Sequence, residues 1–221
     1  MPLTPDLTTF TTAAQSVATY SFNDIADGSG TIIFYPFFAR DTAEIYRMDT
    51  QVFKSEVLGT AANFNVKTTI IDKTFQSKAF NQTRTIRGTA YLKLPVTAAP
   101  KYSDNIMDID ATVTLYNYDG STATSIVAIT ALTKTTSVGD NYDGELIIEI
   151  IVPETTIPVG NYVQLKVLVE MTRTAGTNGP CTGAVGHDPE GETYTKSGLS
   201  VTPISVTDTK MILNLPFKID L

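Results

Sequence analysis

Tryptophan is missing from the 221 residues, cysteine and histidine occur once each, and basic side chains are few, 16 Lys+Arg against 23 Asp+Glu. Each shortage closes a class of function. A net charge of -7 and a pI near 4.7 argue against nucleic acid as a partner, because that binding rests on Lys and Arg neutralising phosphates. No apolar run nears the roughly 20 residues a membrane helix requires, and the mean hydropathy is +0.03, so no membrane partner is expected. The opening Met1-Pro2-Leu3-Thr4-Pro5-Asp6 has no basic n-region and leads into no apolar core, so no secretory signal is read and synthesis in a cytoplasm without export is expected. Cys181 alone closes no internal disulfide, which suits a reducing compartment, and Gly179-Pro180-Cys181-Thr182-Gly183 offers no basic neighbour to activate the thiol.

The single histidine removes most catalytic readings. A serine hydrolase needs a base, an orienting carboxylate and a nucleophile on a strained turn, and no Gly-x-Ser-x-Gly occurs. Asp188 follows His187 at once, and adjacent residues of an extended segment point to opposite sides, so Asp188 is poorly placed to orient the ring. His187 is read as structural or as a subunit contact. One His and one Cys fall short of a zinc site. Gly139-Asp140-Asn141-Tyr142-Asp143-Gly144-Glu145 superficially matches a calcium loop, but with Gly144 at the sixth position the first ligand would be Gly139 and the twelfth Ile150. Asp143-Gly144 is therefore read as a hairpin turn. Gly28-Ser29-Gly30 precedes a strand and lacks the Gly-Lys-Ser/Thr of a phosphate cradle. Glu145 with Glu149 would sit roughly 13 Å apart on one strand face, too wide for paired-carboxylate glycoside chemistry. The chain is expected to be no enzyme and to use neither metal nor cofactor.

What is present is strand-forming. Threonine supplies about a sixth of the chain, and with Val, Ile, Tyr and Phe it suits a pleated, half-buried surface. Strict alternation marks strands at Ile86 to Val96, Ile109 to Leu115, Leu146 to Val152, Val163 to Val169 and Met211 to Leu221. Pro216 marks the last of these as an edge or a bulge. Weaker strands are predicted at Thr31 to Phe38, Ile45 to Val57, Phe64 to Ile71, Thr124 to Thr133 and Ser200 to Val206, with at most a turn or two of helix near Thr8 to Val17. Asp27-Gly28, Asp119-Gly120, Gly139-Asp140 and Gly160-Asn161 punctuate these runs. Short strands between turns predict an all-β, antiparallel sandwich or barrel in one domain, 20–221, behind an N-terminal arm, 1–19. The span from Arg173 to Ser200 reads as one long loop.

Several ordered stretches carry a resemblance: Phe22-Asn23-Asp24-Ile25-Ala26-Asp27-Gly28-Ser29-Gly30, Ile86-Arg87-Gly88-Thr89, Val152-Pro153-Glu154-Thr155 with Gly160-Asn161-Tyr162, Gly186-His187-Asp188-Pro189, and Pro216-Phe217-Lys218-Ile219-Asp220-Leu221. From about Tyr20 onward they resemble a family of small virion structural proteins of tailed bacteriophages, mostly marine. The resemblance implies a jelly-roll-like β-sandwich on the capsid or tail surface, acting as a capsid decoration or auxiliary head protein. Its expected partners are its own copies, with a trimer favoured by the local symmetry of an icosahedral lattice, and the major capsid protein or another virion protein. A major capsid subunit itself would need a long spine helix, for which the chain has no 3.6-residue period. The alternative is a tail or fibre component that binds a host glycan through tyrosines such as Tyr116, Tyr118 and Tyr142. Leu3, Leu7, Phe10 and Val17 of the arm, with His187, Asp188 and Phe217, are the expected subunit or shell contacts.

Overall fold

The computed structural model describes residues 18–19, 29–40, 44–127, 130–201 and 203–218. Among them every regular element is a strand, as the alternation predicts. In chain order these are β1 (Ala18–Thr19), β2 (Ser29–Arg40), β3 (Glu44–Asp49), β4 (Gly59–Phe64), β5 (Thr68–Gln76), β6 (Arg84–Ala99), β7 (Ile106–Tyr118) and β8 (Ala123–Ser125). They continue with β9 (Thr130–Thr135), β10 (Tyr142–Ile157), β11 (Tyr162–Ala175), β12 (Cys181–Gly186), β13 (Tyr194–Lys196), β14 (Ile204–Val206) and β15 (Ile212–Lys218).

Two hydrogen-bonded halves share β2. In the first, β6 carries β10 along one side and both β15 and β12 along the other. Beyond these, β2 pairs with β15 through Ser29 to Phe34, and β4 pairs with β12. In the second, residues 35–40 of β2 pair with β3, and β5, β11 and β7 follow as neighbours. β8 and β9 both pair with β7. The pairings are antiparallel except at β3 and β5, where Arg47 lies opposite Gln76 in parallel.

One core joins the halves. Leu92 and Leu94 of β6, Ile148 and Ile150 of β10, and Leu213 and Leu215 of β15 share it with residues of the other half, namely Val163, Leu165, Val167 and Val169 of β11 and Phe75 of β5. Alternate residues of each long strand enter this cluster because successive side chains leave a strand on opposite faces. β12 brings small residues to the core, and a Cβ on Gly183 would collide with the Met171 sulfur. β13 and β14 form a separate pair that covers Ala99 and Ala184 with Ile204 and Val206.

Four local readings need correction, and a fifth, the edge or bulge expected at Pro216, is decided in favour of the bulge. The predicted strand from 45 to 57 ends at Asp49; Val52, Phe53 and Val57 belong to an exposed connection. The predicted strand from 64 to 71 is two strands, broken at Asn65 to Lys67. The supposed loop from 173 to 200 contains the wholly buried β12 as well as β13. Asp143-Gly144 lies within β10, and the turn before it runs through Gly139, whose φ is 71°. Pro216 makes no edge: β15 lies between β6 and β2, and its proline sits at a register shift against β6, between Asn214 and Phe217. Gly88, at φ 117°, faces the Pro216 ring there. The helix considered near Thr8 to Val17 and the arm as a whole fall largely outside the described residues.

Candidate functional site

His187 and Asp188 follow β12 and are both fully buried. The imidazole packs between the halves, 6.1 Å from the Tyr46 ring of β3 and 6.4 Å from Phe75 of β5. Its Nε2 lies 3.4 Å from Thr60 Oγ1, and its Nδ1 has no hydrogen-bond partner. Burial pushes its pKa down to about 4, because a desolvated imidazolium loses its hydration and gains no direct ion pair in return. Asp188 turns the other way, as the adjacency of the two residues predicts. Its carboxylate accepts the Ser55 N–H at 2.8 Å and the Glu192 N–H at 3.4 Å, while its own N–H donates to Thr209 O. It ties the β3–β4 connection to the segment after β12. Phe217 is also in the core, with the Arg84 guanidinium 6.0 Å from its ring. All three side chains are buried within the chain, and the subunit or shell contact expected of them stays a proposal. Leu3, Leu7, Phe10 and Val17 lie outside the described residues.

Several other acidic groups and the one sulfhydryl are engaged within the chain. Asp143 accepts hydroxyls from Thr97 and Thr207, Asp108 one from Thr135, and Asp110 one from Thr133. The Thr177 hydroxyl and N–H hold Asp104 below the usual carboxylate range. Glu145 pairs with Lys93 at 2.6 Å and Glu192 with Lys54 at 2.8 Å. Burial pushes the Cys181 thiol up, away from reactivity. Among the described residues no three His, Cys, Asp or Glu side chains are grouped to hold a metal.

An exposed apolar surface lies elsewhere, on the outer face of β10 and β6. Ile147 and Ile151 are 55% and 63% exposed, and Tyr91, opposite Glu149, is 44% exposed. The register continues this face onto β15 and β2 through half-buried Ile212, Pro216 and Ile33. Lys93, held by Glu145 and Asp208, and the Arg87–Glu154 pair form a charged rim. Among the described residues no strand pairs with β10 on its far side. The alternation of Leu146 to Val152 already showed which residues share a face; which of the two faces is apolar enough to attract a partner depended on Tyr91 being its neighbour.

No protein-family model matches the chain, and no curated protein matches it in sequence. Among solved structures, an α-amino acid ester hydrolase matches at 10% identity over 84% of this chain, with a TM-score of 0.49. A CocE/NonD family hydrolase from Staphylococcus aureus matches at 14% identity over 84%, with a TM-score of 0.45. The chain spans 36% of the length of each hydrolase. The VP2 subviral particle of infectious bursal disease virus matches at 10% identity, over 86% of this chain and 42% of that one, with a TM-score of 0.27. The expectation of no enzyme is overturned by the hydrolase matches and is withdrawn. Catalytic groups are commonly assembled from positions remote in sequence, so a missing local motif does not exclude them. The phage resemblance is likewise met only by a weak likeness to a viral capsid protein.

Proposed function

We propose that this chain is a virion structural protein, a jelly-roll-like capsid decoration or auxiliary head component that associates with its own copies and docks on the viral shell. The supporting observation is the outer face of β10 and β6, where Tyr91, Ile147 and Ile151 stand exposed together inside a rim of ion pairs. Exposed aromatic and aliphatic side chains set among charged ones, here around Glu149, are the composition of a protein contact. The ordered series of resembling segments supports the same reading. A trimer is the favoured assembly, since it matches the local threefold axes of an icosahedral shell.

Quantitative densitometry of purified particles tests this. A decoration protein is present in a copy number of the same order as the shell subunit, whereas a few copies per particle would place it in the tail. The double substitution Ile147→Lys with Ile151→Lys removes the apolar centre from exposed positions, where folding is little affected. Particles are expected to lose the variant while its thermal melt stays that of the parent; full retention on particles would remove this face from the docking surface.

A further inference from the structure

Residues 50–58, between β3 and β4, do not continue the sheet. They fold back so that Phe53 packs on Phe37 of β2, ring centroids 5.7 Å apart, and Asp188 fixes the base of the turn through Ser55. Between this connection and the outer face of the second half lies an open cleft of about 700 Å³, within the size range of small-molecule sites.

Register builds its floor. Phe37 lies opposite Arg47, Arg47 opposite Gln76, and Gln76 opposite Gln164, to which it is hydrogen-bonded at 2.8 Å. Two residues further along the same face come Asp49 and Tyr162, with Lys78 reaching Asp49 at 2.6 Å. The Lys78 ammonium also lies 5.8 Å from the Phe53 ring, and Phe53 is 39% exposed. Arg47 is exposed and has no ion-pair or hydrogen-bond partner among the described residues.

We propose that this cleft binds a saccharide bearing a single carboxylate on its ring. The exposed aromatic ring offers an apolar platform to the C–H face of a sugar. The planar fork of Arg47 matches a carboxylate in two parallel hydrogen bonds. Asp49, Lys78 and Gln76 supply acceptors and donors for ring hydroxyls along one line. Lys78 and Lys54 are paired with Asp49 and Glu192, which leaves Arg47 as the one lining cation without an ion pair among the described residues, while Glu56, also in the lining, disfavours a doubly charged group such as phosphate.

Calorimetric titration of the full chain with methyl galacturonoside, which carries one carboxylate, with its methyl ester, and with a tripeptide bearing a free C-terminal carboxylate tests the assignment. The acid form is expected to bind about tenfold or more tightly than the ester, the difference that a charged hydrogen-bonded pair supplies. This comparison needs no variant. Arg47→Gln is expected to abolish the preference for the acid, and Phe53→Ala to weaken both sugars about tenfold, while Val138→Ala, exposed and outside the cleft, leaves both unchanged. Equal binding of acid and ester, binding of the tripeptide in place of the sugar, or no heat at millimolar glycoside would each overturn the proposal.

Discussion

His187 shows how one buried residue can constrain a fold. Its ring is enclosed by Tyr46, Phe75 and Thr60, with Lys73 the nearby cation and Asp188 the nearby anion, and its pKa is lowered from 6.5 to about 4. Below pH 6.5 the unfolded chain takes up a proton that the folded chain refuses. Stability conferred by the neutral ring is therefore complete above pH 6.5 and is lost as pH falls toward 4, by about 3 kcal/mol at full effect. His187→Leu fills the same apolar space without a titrating group and removes the unpartnered Nδ1. Urea midpoints measured from pH 7 to pH 4 are expected to fall more steeply for the parent than for the variant. Parallel curves would mean that the ring is solvated in the folded chain. That His187 and Asp188 face opposite ways was legible in the sequence, because adjacency in an extended segment dictates it. Their burial was not, since it depends on Tyr46, Phe75 and Ser55, all remote from them in the chain.

At the scale of the element, alternation was a reliable guide where one face of a strand is buried and the other open, as in β7, β10 and β11. It failed where both faces are covered. β12, Cys-Thr-Gly-Ala-Val-Gly, is buried at every position and reads as a loop because its small residues carry no apolar period. They are small because the neighbours are close. A Cβ on Gly186 would stand 2.6 Å from the Thr209 Cα and 2.9 Å from its Cβ, and backbone atoms cannot swing aside. Gly186→Ala is thus expected to destabilise the chain by about 1–3 kcal/mol, read as a lowered melting temperature with an unchanged far-ultraviolet spectrum in the cold. An unchanged melt would show that the segment after β12 has room to shift. The opposite error occurs at 50–58, where Val52, Phe53 and Val57 imitate a strand, whereas Phe53 supplies a wall of the cleft, a role set by what it meets on β2.

For the whole molecule the unpaired side of β10 poses the main hazard, because a long open edge invites further strands and unlimited growth. Its sequence resists this. In an antiparallel pairing of two β10 strands, placing Ile147 of one copy opposite Ile151 of the other forces Glu149 against Glu149, while the next register in either direction seats Glu149 opposite Ile147 or Ile151 and breaks the apolar match. Like charges directly opposite one another are destabilising, and Glu149 has no cation partner among the described residues to offset this. In the proposed assembly this steers contact from the edge to the face that carries Tyr91 and the two isoleucines. Glu149→Val removes the obstacle and completes an apolar strip along the edge strand from Ile147 to Ile151. Sedimentation velocity at rising concentration is expected to show a small, discrete species for the parent and continuing growth for the variant. If the variant sediments as the parent does, the edge is shielded by something other than charge.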